Sequence, residues 1–347
     1  MFRNMKWSLA LGLISTLCSL PVSAREPREE GSTPFVAISK MPAPQVQKRL
    51  DRLFYRWETY ELDLPDLERQ VRATGRVTLH AGGRVFDMKL ELNNLRALGF
   101  KQIRQTRRGP VEETPSPVAT FKGYLVGEPE SMVRLLIQPD FLQGYIRTAD
   151  EWIFIDPLRK YAKSSAPSEI VLFDDDDVRP EAAALCGAGD LTRRAHDLME
   201  SQGSSGLTNA TAEAVIPAPT LGRTDIATEA DYEYYLIYGA STYSQIEGIL
   251  NSVDGIYKAD LALTLRIVYQ SVWTTNQAPY PYTSTIHSTL LDQFKNYWNN
   301  NRANVARDQA HLFTGKQIVD EYGNVKDGVA FPGAVCRDSS LSYSLSR

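Results

Sequence analysis

Hydrophobic and polar positions along the chain follow two different rhythms, and the change between them divides it in two. In the first half they mostly alternate. RQVRATGRVTLHAGGRVFDMKLELNNL, residues 69–95, holds two alternating runs on either side of Ala81-Gly82-Gly83, a pattern that predicts a β-hairpin. ATFKGYLVGEPESMVRLLIQPDFLQGYIRTADEWIFIDPL, residues 119–158, predicts further short strands broken at Gly127-Glu128-Pro129, Gln138-Pro139-Asp140 and Thr148-Ala149-Asp150. An antiparallel meander or sandwich is the expected product. Ahead of this tract residues 25–48 are polar and Pro-rich, and QKRLDRLFYRW then places Leu50, Leu53 and Phe54 on one face of a helix.

After residue 223, strand and helix patterns take turns. DYEYYLIYG reads as a strand that Gly239 ends, and Thr242 and Gln245 have the spacing of a capping box. Ile246, Ile249, Leu250, Val253, Ile256 and Tyr257 then recur at helical spacing, which predicts a helix with one buried face. LALTLRIVYQ alternates, so Leu261, Leu263, Leu265, Ile267 and Tyr269 are expected to point one way from a strand. Past the Pro/Tyr-rich loop TTNQAPYPYTST, a second helix is expected around Leu290, Leu291, Phe294, Tyr297 and Trp298. RDQAHLFTG reads as a short strand or turn, VKDGVAFPG as a strand beginning near Gly328, and SLSYSLS as a strand alternating at Leu341, Tyr343 and Leu345. Strands separated by helices argue for a mostly parallel sheet with helices packed on it.

Between the halves, residues 174–222 open with the acidic run Asp174 to Asp177 and continue rich in Gly, Ser, Ala and Pro, as a linker does. The run lacks the Gly and distal Glu of a calcium loop and reads as a solvated loop. The fold class is therefore α+β: a β-rich domain over 25–173, a linker over 174–222, and an α/β domain with a mixed, mostly parallel sheet over 223–347.

Composition adds an address and removes some functions. Arg3 and Lys6 precede an apolar run from Trp7 to Leu20 and the small-residue pattern Val22-Ser23-Ala24, so residues 1–24 read as a secretory signal peptide. The expected location is secreted or periplasmic, with no membrane attachment after cleavage. The net charge of −4 becomes −6 without Arg3 and Lys6, and no basic patch suits a nucleic-acid partner. Two cysteines follow the signal segment, Cys186 and Cys336. There is no Gly-x-Ser-x-Gly elbow, and no two of His80, His196, His287 and His311 stand at the i, i+4 spacing that aims two imidazoles at one metal.

DYEYYLIYG, ILNSVDGIYKADLALTLRIVYQSVWTT, LLDQFKNYWNNNRANVARDQAHLFTGK and DGVAFPGAVCRDSSLSYSLS resemble, in that order, the catalytic domain of the adamalysin/reprolysin metalloproteases, which are metzincins. Their bacterial members look closest. The likeness spans residues 231–346, and ARDQAHLFTG and GVAFPGAVC are its most specific pieces. FKGYLVGEPESMVRLLIQPDFLQGYI is similar to the propeptide of the same family.

The resemblance implies an exported zymogen of a zinc metalloendopeptidase. Its substrates would be proteins or peptides, and its own propeptide would inhibit it. Such enzymes bind zinc through H-E-x-x-H-x-x-G-x-x-H, whose Glu acts as general base. That motif does not occur in the 347 residues, so the chain is expected to be a fragment that stops short of the metal site, inactive as it stands. Cys186-Gly187 is expected to be a cysteine switch, its thiolate a zinc ligand in the precursor; a disulfide to Cys336 and a free thiol are the alternatives. Cys336 matches a cysteine whose partner lies downstream, with Cys186 as its other option. Gly328, Val329, Ala330 and Phe331 match the edge strand on which substrate lies, and Glu233 and Asp308 match positions that bind a structural calcium in some members. The rival reading is a non-enzymatic exported binding or inhibitory protein with a degenerate protease-like domain.

Overall fold

Local sequence sets the helices of the first half. Asp63 accepts a hydrogen bond from the Asp66 N–H, and Gly75 adopts a left-handed conformation; between them lies a helix, Leu64–Thr74, where alternation had suggested strand as far back as residue 69. Its Leu64, Leu67 and Val71 are buried at i, i+3 and i+7, a helical period that overrides the short alternating run. Another helix, Pro44–Leu53, buries Leu50 against Phe54, Leu158 and Val171. The computed structural model describes residues 35–81, 83–180, 221–335 and 338–347. No helix among them is long and apolar enough to cross a membrane.

The described helices are α1 (Pro44–Leu53), α2 (Leu64–Thr74), α3 (Tyr232–Tyr238), α4 (Thr242–Leu261) and α5 (His287–Asn301). In the first half the strands are β1 (Phe35–Val36), β2 (Ile38–Ser39), β3 (Glu58–Glu61), β4 (Arg76–Ala81), β5 (Arg84–Leu92), β6 (Arg96–Thr106), β7 (Gly109–Glu113), β8 (Thr120–Leu125), β9 (Glu128–Gln138), β10 (Phe141–Arg147), β11 (Trp152–Pro157) and β12 (Glu169–Asp174). The second half adds β13 (Gly222–Ala230), β14 (Leu263–Trp273), β15 (Gln309–Phe313), β16 (Ile318–Val319), β17 (Val325–Lys326), β18 (Gly328–Ala330) and β19 (Tyr343–Ser346).

A ten-stranded sheet runs β1-β4-β5-β8-β9-β10-β11-β12-β3-β2, with β8 to β12 an antiparallel meander. The turn signals at 127–129, 138–140 and 148–150 fall at or between the ends of these strands. Residues 174–180 belong to this sheet's surroundings rather than to a free linker: Asp174 ends β12, Arg56 bonds Asp177 at 2.8 Å, and the Arg179 N–H bonds the Leu53 carbonyl at 2.8 Å.

The second sheet is built by both halves of the chain. Its order is β18-β19-β15-β13-β14-β6-β7, so the hairpin of residues 96–113 completes a sheet whose other strands all follow residue 221. The β19, β15, β13, β14 and β6 strands pair parallel, and β18 and β7 pair antiparallel at the two ends. On one face Leu290, Leu291, Phe294 and Trp298 of α5 pack on Ala310, Leu312, Tyr343 and Leu345. On the other, Tyr243, Ile246 and Leu250 of α4 pack on Ile226, Leu265, Ile267 and Phe313.

Three local expectations are corrected here. Residues 232–238 form α3 instead of a strand, because the Asp231 carboxylate caps the Tyr234 N–H at 2.8 Å and also accepts from the Gly315 N–H and the Thr314 hydroxyl; the strand is the preceding β13. No capping box forms at Thr242, whose hydroxyl bonds the Gly239 carbonyl at 2.8 Å while Gln245 is buried. The alternation through β14 breaks at Val268, where a bulge sends Leu265 and Ile267 to the α4 face and Tyr269 to the α5 face.

The expectation of a single buried face on α4 also fails. The described residues form one compact unit, and α4 runs between its two sheets. Opposite the apolar stripe, Glu247, Gly248, Asn251, Asp254 and Gly255 are buried against β8, β9 and β10. Asn251 donates to the Phe121 carbonyl at 3.0 Å and the Leu135 carbonyl at 3.3 Å, and accepts from Asn93 at 2.8 Å. Arg96 clasps Glu247 through two bonds of 2.7 and 3.0 Å.

Candidate functional site

Gly328, Val329 and Ala330 form β18, an end strand of the seven-stranded sheet, and Phe331 follows it. Gly328, Val329 and Ala330 face Ser346, Leu345 and Ser344 of β19. The Phe331 N–H donates to the Tyr343 carbonyl at 3.2 Å, and the Asp327 carbonyl accepts from Arg347 at 3.0 Å. Odd-numbered residues thus turn their main-chain groups toward β19. By the period of two, Gly328 and Ala330 turn theirs to the open edge, where β18 pairs with no other described strand. Val329 and Phe331 are buried in the α5 core and fix the strand, and Lys295 Nζ lies 5.3 Å from the Phe331 ring centre. An extended chain laid on this edge would find outward donors and acceptors on a rigid strand.

Beneath it, β15 and β19 carry a polar row on the opposite face. His311 Nδ1 lies 2.7 Å from Ser344 Oγ and Nε2 2.9 Å from Ser346 Oγ, and Gln309 donates to Ser344 at 2.6 Å. Burial pushes the His311 imidazole down to about 4, so it is neutral at pH 7 with both nitrogens engaged by hydroxyls. The sequence shows only that His311 has no second histidine at metal-ligand spacing; the structure makes it a member of the sheet.

The calcium expectation is not supported, because Glu233 and Asp308 are at opposite ends of β13. Asp308 accepts from the Asp225 N–H at 2.7 Å near the strand's start, whereas Glu233 follows its end. Five residue steps along β15 lead from Asp308 to Phe313, on the order of 15 Å, and one calcium ion needs its oxygens within about 2.6 Å. Each position already has protein partners. Asp225, beside Asp308, receives a two-pronged Arg266, and Glu233 receives Lys316 and the Tyr280 hydroxyl. Burial alone would raise the Glu233 carboxyl, but these two bonds hold it below its ordinary value. Cys186 and Cys336 lie outside the described residues.

Sequence reading missed Glu229. It is fully buried on β13, where Tyr282 donates at 2.5 Å, the Trp273 indole at 2.6 Å and the Trp298 indole at 2.9 Å. Burial raises its carboxyl above the ordinary value against the pull of those three donors. The aromatic residues were visible in the sequence, but nothing in their spacing points at a single acid.

A mostly parallel sheet with a helix on each face and an antiparallel strand at each end defines the class: an α/β domain. Residues 243–346 match the family described as Metallo-peptidase family M12B Reprolysin-like, so over that span the chain is similar to reprolysin-type metallopeptidases. No curated protein matches the chain. Among solved structures, the crystal structure of metalloproteinase-II from Bacteroides fragilis is similar at 10% identity, covering 88% of this chain and 80% of that one, with a TM-score of 0.36. The structure of a chaperone-substrate complex is similar at 14% identity, covering 37% of this chain and 21% of that one, with a TM-score of 0.28. Scores this low assign neither fold nor activity.

Proposed function

We propose that the protein is the precursor form of an exported zinc metalloendopeptidase, with the tract of residues 25–173 as its propeptide and inhibitor and β18 as its substrate-binding edge. The observation that carries this reading is the coincidence of the reprolysin-like match over 243–346 with an open, antiparallel edge strand inside that span. The N-terminal pattern supports export, and substrates are extended segments of proteins or peptides.

The described residues do not fit a zinc ion. No group of three or more His, Cys, Asp or Glu among them could hold a metal; His311 is spent on two hydroxyls and Glu233 on Lys316. What they supply is binding: Gly328 and Ala330 hold a peptide by main-chain bonds, without reading its side chains.

The test is hydrogen exchange with and without a blocked, extended hexapeptide. Gly328 and Ala330 amides gain protection on binding, and Ala330→Pro, which removes an outward N–H while leaving the Phe331 bond to β19, weakens binding at least about tenfold, the equivalent of one good hydrogen bond. Unchanged affinity in that variant, with its near-ultraviolet dichroism intact, refutes the edge. Reading the gene past codon 347 for the three-histidine motif separates the peptidase from the non-enzymatic binding protein.

A further inference from the structure

We infer that residues 35–180 stay bound to the rest of the protein after a cut anywhere within 181–220, so that such a cut alone yields a two-chain complex, and freeing the C-terminal half needs a further step that unfolds or degrades the first. This rests on the contact between the halves and stands whether or not β18 binds peptide.

The contact has the character of a domain interior. The β6 strand is hydrogen-bonded in parallel along β14, with Lys101 to Gln105 beside Tyr269 to Trp273, and Gln105 adds a bond to Ser271 Oγ at 2.9 Å. Tyr243 of α4 donates to the Ile103 carbonyl at 2.8 Å, and Leu95 of the first half is part of the core that α4 makes with β13 and β14. Pulling the first half away therefore strips a strand from the sheet and opens that core.

The other side of α4 is fitted to the ten-stranded sheet. A Cβ on Gly248 would stand 2.8 Å from Leu136 Cδ2, and one on Gly255 would stand 2.3 Å from Tyr145 Oη. Mid-helix glycine costs roughly 1 kcal/mol against alanine, and here it lets the helix approach the sheet closely. Asn251 satisfies two main-chain carbonyls and Asn93 across the seam, Arg96 and Glu247 are nearly buried, and Arg134 reaches Asp254 at 3.5 Å. If the halves parted, these groups would leave a buried, satisfied environment together with the apolar surface around them. Such interiors resemble obligate interfaces, which do not come apart on dilution.

The experiment uses the full chain with a Gly/Ser-rich insert between residues 181 and 220 that carries one site for a site-specific protease. After complete cutting, size exclusion with mass measurement shows two polypeptides in one particle of unchanged mass, still together on dilution to about 10 nM, as a subnanomolar complex requires. Separation of the halves without denaturant overturns the inference. In a second form of the same chain, Asn251→Leu with Glu247→Leu, the cut protein loses its N-terminal half at least about tenfold faster while the uncut protein stays folded, because the tether supplies a high effective concentration. If the double variant parts no faster than its parent, α4 is not what holds the halves together.

Discussion

Replacing Asn251 by alanine tests the seam at its most buried point. The side chain is fully buried and makes three hydrogen bonds, two as donor to Phe121 and Leu135 carbonyls and one as acceptor from Asn93. The two bonds that Asn251 donates contribute about 1 kcal/mol each, and the orphaned buried donor on Asn93 costs about 1–3 kcal/mol further, so Asn251→Ala should lower stability by about 3–5 kcal/mol. That is a large part of the 5–15 kcal/mol by which most domains are stable. Asn251→Asp should be at least as harmful at pH 7, since a carboxylate would confront two carbonyl oxygens. The assay is urea unfolding of the intact chain at 25 °C, followed by tryptophan fluorescence. A cycle with Asn93→Ala should show coupling of about 1–2 kcal/mol, because each single change already removes the shared bond. A loss below about 1 kcal/mol for Asn251→Ala, or strict additivity with Asn93→Ala, would show that the halves do not meet through these amides.

Other residues give independent checks. Gly248→Val forces a branched side chain against Leu136 and should cost about 1–3 kcal/mol despite removing a helical glycine; a raised melting temperature would contradict the close approach. Glu229→Gln must turn an amide N–H₂ toward an indole or phenol donor, so a loss of about 1–3 kcal/mol and a changed near-ultraviolet tryptophan signal are expected, and no change in either would mean the acid is dispensable. His311 is held neutral down to about pH 4 when folded but takes up a proton near 6.5 when unfolded. Its contribution is therefore complete above pH 6.5 and fades as pH falls toward 4, by about 2 kcal/mol once the ring's partial accessibility is allowed for; His311→Asn should flatten that part of the stability profile.

What could be read from the sequence was what is encoded locally. The breaks at Gly127-Glu128-Pro129 and Gln138-Pro139-Asp140 fall where β8, β9 and β10 meet, since turn residues act over a few positions. Helix α5 and edge strand β18 were legible for the same reason. The partnership of β6 with β14 was not, because it joins residues more than 160 positions apart and residues 96–113 have no strong alternation of their own. Tyr232 to Tyr238 misled because their aromatic and branched side chains suit a strand, while the deciding signal was one acid, Asp231. On α4, Glu247, Asn251 and Asp254 look like a solvated stripe, and only the glycines at 248 and 255 hint that a second surface closes over it. The site itself was half legible: the edge strand could be placed from its resemblance, but the neutral histidine under it and the acid buried in the α5 core depend on distant neighbours.

The seven-stranded sheet has unlike margins. On one side the chain's own ribbon, ending in Gly109-Pro110-Val111-Glu112-Glu113, covers the long apolar β14 with a proline and two carboxylates, which discourage a neighbouring molecule from continuing the ladder. On the other, β18 remains open. Two copies meeting through this sheet can therefore join only at like margins and stop at a pair, whereas a sheet open on both sides could polymerise without limit. The ribbon from the first half thus blunts one margin, and the other has no partner among the described strands.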